Sequence, residues 1–205
     1  AIPLKGFDNF TPPYQFIKGL LNSEDDLLVD KEHLIVISPD EGALDRAIYF
    51  ASVLGVDASE LAVEQAGKNA ELNGLSDTVK FQCADVFDLL PELERAGEQY
   101  DVVILDPPAF TKSRNSVKNA VRGYREINIR GLKLVKDGGY LCTCSCSHFM
   151  TPELFTETIA QAARDAHVRL RQVEYRTQAA DHPILWAANE SYYLKFYIFQ
   201  VVKSF

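Results

Sequence analysis

The chain has 205 residues, 47% of them apolar, enough to close a hydrophobic core without disulfide or metal staples. Its formal net charge of -8 argues against a freestanding polyanion binder, because nucleic-acid affinity comes mainly from Lys and Arg neutralising phosphates, so an RNA substrate would need a local basic face or a helper domain. No early apolar run has the length of a signal-peptide core and none approaches a bilayer span, so a cytoplasmic protein of one α/β domain is expected.

Taken in chain order, "HLIVIS" reads as a short apolar strand, Ala43 to Phe50 as an amphipathic helix, and "SVLGVD" as a second strand. Ser59 is placed to cap "ELAVEQAGKNAELNG", a helix with apolar positions at Leu61, Ala62, Ala66, Ala70 and Leu72 and a glycine stop at Gly74. Strand "VKFQCAD", a helix around "FDLLPELERAG" and strand "YDVVILD" follow. A loop with two prolines then leads into a long helix from about Ser116 to Val135 and a turn and strand in "KDGGYLCTCSCS". "TPEL" opens another helix, with Thr151 as cap and Pro152 in the first turn. "HVRLRQVEY" and "YYLKFYIFQVV" alternate as half-buried strands. This βα alternation predicts a mostly parallel sheet with helices on both faces, and the last two strands, joined without a helix, predict an antiparallel edge strand.

Ligands of such sheets gather at the carboxyl ends of the strands. Those ends hold Asp57, Asp85 and Asp106. An acid after the second strand suits a ribose diol, since a carboxylate accepts from two hydroxyls, and Asp85 is placed for the next part of a nucleoside. The alternative is that Asp57 and Asp85 simply cap the helices that follow.

In "LDPPAF", Pro107 and Pro108 stiffen the chain as it leaves the strand, fixing Asp106 and presenting Phe110. A fixed carboxylate beside an aromatic ring is what an extruded base needs, although a plain turn with a buried Phe has the same sequence. Of the alternating cysteines in "CTCSCSH", Cys142 and Cys144 read as small core residues, whereas Cys146, last in the strand, is the one expected to emerge into the cleft. A nearby cation or helix N-terminus would make it nucleophilic. The alternate-residue spacing does not suit a zinc site, and the thiols are expected to be reduced.

These residues carry a family resemblance. From about Gly55 to Val202, through "VDAS", "KNAELNGL", "ADVFDLL", "VVILDPPAFTKSR", "RGYREIN", "DGGYLCTCSCSHFM", "QAADHPI" and "YLKF", the chain resembles the catalytic domain of bacterial 23S rRNA 5-methylcytosine methyltransferases. The resemblance implies a Rossmann-like class I methyltransferase sandwich with a seven-stranded, mostly parallel sheet and S-adenosyl-L-methionine as cofactor. It implies that Asp57 and Ala58 hold the cofactor ribose, Asp85 and Val86 the adenine edge, and that Asp106 and Pro107 lie between cofactor and base. Cys146 would be the nucleophile, with Asp106 beside it in the catalytic centre. Apart from the resemblance, Pro108 and Phe110 are candidate substrate contacts, and Lys112, Arg114, Lys118, Arg122 and Arg125 cluster after the loop either as a phosphate-contacting face for RNA or simply as a solvated helix face. Members of that family carry an additional RNA-binding domain, so weak RNA affinity is expected of this chain alone. Amino-group methyltransferases also use an acid-Pro-Pro-aromatic run but need no late cysteine, which leaves them as an alternative.

That family's first motif, an acid and a glycine-rich turn beneath the methionine part of the cofactor, is absent before "VDAS". Residues 6–55 instead resemble a fragment of Firmicutes-type phosphoribosyl pyrophosphate synthetase, through "FDNFTPPYQFIKGLL" and "HLIVISPDEGALDRAIYFASVLG", in which Asp40 would lie near phosphate and metal. A seam near residues 53–58 is expected, joining a synthetase-like part, 1–55, to a methyltransferase-like part, 56–205, by natural fusion or as an engineered chimera. Ser38, Pro39, Asp40 and Glu41 put side chains and two carboxylates where bare backbone should meet the cofactor, so cofactor binding is expected to be weakened and activity low or lost. A non-catalytic hybrid scaffold is the alternative in that case.

Overall fold

The computed structural model describes residues 53–111, 113–179, 181–188 and 191–203, together with the backbone of 34–37. The helix expected over Ala43–Phe50, the loop Ser38–Gly42 and nearly all of the synthetase-like segment, Asp40 included, lie outside the described residues.

Strands β1 (Leu34–Ile37), β2 (Val53–Asp57), β3 (Val79–Cys83), β4 (Tyr100–Leu105), β5 (Val135–Ser145), β6 (Arg169–Arg176) and β7 (Lys195–Val202) form one sheet in the order β3-β2-β1-β4-β5-β7-β6. Pairing is parallel from β3 through β5 and antiparallel for β5 with β7 and β7 with β6. The sheet is thus mixed, and one expectation is corrected. The antiparallel strand is β7, and it does not lie at the edge. Its apolar sequence, KFYIFQVV, is buried along nearly its whole length, whereas β6, RLRQVEYR, is exposed or half-buried throughout. Burying the apolar strand on both faces and leaving the charged one outermost puts β7 between β5 and β6.

Helices α1 (Glu60–Leu72), α2 (Val86–Ala96), α3 (Val117–Leu134) and α4 (Pro152–Asp165) cover the sheet. Their starts follow local chemistry: Ser59 accepts from the Ala62 N–H at 3.3 Å, and Thr151 from the Leu154 N–H at 3.3 Å. α1 buries Ala62, Ala66 and Ala70, while Leu61 and Leu72, expected on the same face, are exposed. Two of the buried alanines, Ala62 and Ala66, allow α1 to sit close to Phe81 of β3.

Past the glycines of β5, from Tyr140 onward, side chains alternate between the two layers. Leu141 joins a layer with Leu89 and Leu90 of α2, Ile127 and Leu132 of α3, and Ala162 and Ala163 of α4. Tyr140, Cys142 and Cys144 join the opposite layer with Val102, Ile104, Phe196 and Ile198. At the close of β5 this alternation brings Ser145 to α3 and carries the chain toward the carboxyl edge of β4.

Candidate active site

Between β1 and β4 the strand order reverses, and Ile37 at the end of β1 is in register with both Val56 and Leu105. A crevice at such a reversal is where open α/β sheets bind ligands. Asp57 and Asp106 each follow one of those register partners and so flank the crevice.

Asp57 is fully buried, and its Oδ1 accepts the Ser59 N–H at 2.7 Å. Ala58 beside it is exposed. Asp85 is exposed and accepts the Phe87 N–H at 2.8 Å as the N-cap of α2, while Val86 is buried under it. The capping role weighed for Asp85 is therefore present. Replacing Asp85 with alanine is expected to lower stability by about 1 kcal/mol, whereas asparagine, an equally good cap, leaves the thermal midpoint within a degree or so. Differential scanning calorimetry of the two variants checks this.

Asp106 is half-buried and Pro107 buried. The loop they open is tied to the end of β5 at several points. The Cys144 thiol donates to Asp106 Oδ1 at 2.9 Å. Tyr124 of α3, fully buried, donates its hydroxyl to the Pro108 carbonyl at 3.4 Å and accepts from Ser145 Oγ at 2.9 Å. Ser147 Oγ donates to the Thr111 carbonyl at 3.0 Å, and the Ser147 N–H reaches Ser145 Oγ at 3.3 Å. Burial, more than any neighbour, pushes the Tyr124 hydroxyl far above its ordinary pKa, so it stays protonated and can donate at every accessible pH. The "DPPAF" and "SCS" runs, far apart in sequence, thus become one structure.

Within it, Cys142 is core: burial pushes its thiol well up and keeps it inert. Cys144 is also buried, yet it is more than a filler, since its thiol is held by a carboxylate. Cys146 is half-buried and follows the last residue of the strand. No cysteine is bridged to another.

Phe110 is half-buried, packed edge-on against Tyr124 with ring centroids 4.7 Å apart and tilted against Phe87 at 6.0 Å. Gly123 of α3 permits this approach, since a Cβ there would stand 3.3 Å from the Phe110 ring. Much of the ring is therefore committed to the core. Lys112 and the side chain of Arg114 lie outside the described residues. Among the other cations, Lys118 and Arg122 are exposed, and Arg125 is held by Asp165 at 2.6 Å.

Sequence reasoning missed two members of this cluster, Tyr124 and Lys195. Lys195, only 1% exposed, opens β7 directly opposite Ser145, and its Nζ donates to the Ser147 and Tyr193 carbonyls, both at 2.6 Å. The signal was a single charge inside the apolar run "YYLKFYIF".

The family profile described as "Methyltransferase domain" matches residues 43–196. The match begins just after Ser38–Gly42 and runs through the expected seam at 53–58. "Ribosomal RNA large subunit methyltransferase I" of Shewanella denitrificans is 44% identical over 146 residues, covering 71% of this chain and 37% of the relative. The protein of the same name from Tolumonas auensis is 46% identical over 144 residues, covering 70% and 36%. The chain thus spans well under half the length of the relatives it matches. A solved structure described as a putative SAM-dependent methyltransferase from Streptococcus mutans superposes with a TM-score of 0.72 at 18% identity, over 92% of this chain and 47% of that one. It shares the fold. With a profile match over well more than half of its residues, the chain belongs to the methyltransferase-domain family.

Proposed function

We propose that the domain transfers a methyl group from S-adenosyl-L-methionine to carbon 5 of a cytosine in large-subunit ribosomal RNA, with Cys146 as the nucleophile. The observation that carries this reading is the joining of the Asp-Pro-Pro-Ala-Phe loop to the Ser-Cys-Ser turn, through Cys144 to Asp106 and Ser147 to Thr111. The names of the two rRNA methyltransferase relatives supply the substrate class.

The residues present fit the nucleoside end of the cofactor. Asp57, Asp85 and Asp106 are acceptors along one edge of the sheet, suited to the hydroxyl and amino hydrogens of ribose and adenine. Ala58 and Val86 would pack beside them, and Pro107 would separate cofactor from base. The cofactor supplies an electrophilic methyl group on a sulfonium.

On the substrate side, Asp106 would accept from the cytosine amino group, and Pro108, with what remains exposed of Phe110, would bound the base. Lys112 and Arg114 would neutralise flanking phosphates. The Cys146 thiolate forms a bond to carbon 6, which makes carbon 5 electron-rich enough to take the methyl group. A base then removes the carbon 5 proton, and the sulfur–carbon bond breaks to return the thiolate.

The test is methylation of large-subunit rRNA transcripts, followed by mass spectrometry of the digested nucleosides. 5-Methylcytidine is the expected product. An N-methylated nucleoside would instead support the amino-group alternative.

A second reading concerns Ser38–Gly42. Two acids in place of glycines there, just ahead of the residues the family profile matches, support weakened cofactor affinity; the profile itself runs unbroken through 53–58 and lends no support to a hybrid joined at that seam. Titration calorimetry with S-adenosyl-L-methionine separates the readings. Micromolar binding is expected of a working enzyme, and absence of heat at millimolar ligand overturns the enzyme reading for this chain.

A further inference from the structure

We propose that Lys195 is the positioning residue of the Cys146 thiol: its ammonium group clamps the turn that carries Cys146 and provides the positive charge against which the thiolate forms. This rests on the reading of Cys146 as nucleophile.

The geometry is a grip on both sides of the cysteine. Ser145, immediately before Cys146, is the register partner of Lys195 across the β5–β7 ladder. Ser147, immediately after it, gives its carbonyl to Lys195 Nζ at 2.6 Å. Ser145 Oγ in turn receives the Ser147 N–H and is held by Tyr124. Cys146 thus lies between two residues that are both fixed, and Lys195 reaches past the cysteine from one to the other.

The charge argument is separate from the clamp. A lysine this buried normally faces a carboxylate. Among the described residues, the hydrogen-bond partners of Lys195 are two backbone carbonyls, which are neutral. Burial pulls its pKa down to about 8, and the Cys146 and Cys144 thiols, when ionised, oppose that shift. The ammonium and a thiolate therefore stabilise each other in a place where neither is comfortable alone.

Other ionisable groups face the same place. Asp106 and Cys144 approach from β4 and β5, and Tyr124 approaches from α3. Tyr193, ahead of β7, has its pKa raised by burial and then by Cys146 and Asp181, and His148 follows the turn. Among these, the carboxylate of Asp106 disfavours a thiolate, and the Lys195 ammonium favours one.

The test uses the full chain and needs no catalysis. The rate of iodoacetamide alkylation at Cys146, read by peptide mass spectrometry, is followed from about pH 6 to about pH 10 in wild type, Lys195→Met and Lys195→Arg. Wild type is expected to titrate below the ordinary thiol value of about 8.5, Lys195→Met about one unit or more higher, and Lys195→Arg close to wild type. Equal midpoints in folded wild type and Lys195→Met overturn the proposal. Should Lys195→Met not fold by circular dichroism, the wild-type midpoint decides: below about 8.5 supports the proposal, and at or above it overturns it. A Cys146→Ala protein that still methylates would remove the nucleophile reading while leaving this titration intact, so the two failures are distinguishable.

Discussion

Cys146→Ala is expected to leave a folded protein that forms no measurable 5-methylcytidine, a loss of at least about 10⁴-fold, or roughly 5.5 kcal/mol of barrier. The size follows from the chemistry. Carbon 5 of cytosine is a poor nucleophile until something adds to carbon 6, and no neighbouring side chain can replace a thiolate in that role. Cys144 is the nearest sulfur in sequence on the same strand alternation, but its thiol is buried and held by Asp106. Cys142 is deeper still. Removing a half-buried thiol past the end of the strand opens no core cavity, so the melting temperature is expected to stay within a few degrees. Rate measurements on rRNA paired with thermal melts check both halves. Retained methylation with an N-methylated product would transfer the reading to amino-group chemistry, which needs Asp106 and its loop but no sulfur nucleophile.

The second large effect is on folding. Gly139→Val is expected to destabilise the domain by at least ~3 kcal/mol, lowering the melting temperature by roughly 6–12 °C, or to prevent folding. A Cβ at Gly139 would stand 2.6 Å from the Asp101 carbonyl oxygen and 2.9 Å from Val135 Cγ1. The first contact is with backbone of the neighbouring strand, which cannot move without parting β4 from β5. The pairing is already irregular there, with a register shift between Tyr100 and Val102, and Gly138 next door has φ +80°. Gly67 in α1 is the contrast: nothing lies within 4 Å of an added Cβ, so Gly67→Ala is expected to stabilise by about 0.5–1 kcal/mol. Urea titration of both variants shows whether the two glycines differ as this geometry requires.

Local chemistry made most of the described elements legible. Ser59, Asp85 and Thr151 mark helix starts because a short oxygen-bearing side chain satisfies an otherwise orphaned N–H, and all three do so. The candidate site residues came from acids and prolines at strand ends, and the structure gives two of those acids, Asp57 and Asp85, local backbone partners as well. What could not be read was which elements become neighbours. Nothing in "RLRQVEYR" or "KFYIFQVV" states which lies outermost, although relative apolarity favours the arrangement found. For α1, periodicity grouped Leu61 and Leu72 with the alanines, but a helix pressed close to Phe81 buries only the narrow alanine stripe. Tyr124 and Lys195 escaped because each sits in a segment whose pattern is that of an ordinary helix or strand. Their partners are supplied by tertiary structure alone.

The placement of β7 has a consequence for how the domain comes into being. The hydrogen bond from Lys195 to Ser147 spans 48 positions of sequence, and the strand that makes it sits inside the sheet rather than on its rim. β7 is made after both of its neighbours, so β5 gains the ladder partner on that side only when the end of the chain is in place. Such a high-contact-order closing step is slow. For that interval the nascent chain carries an apolar strand without its final partner, the condition under which binding of a chaperone would count most.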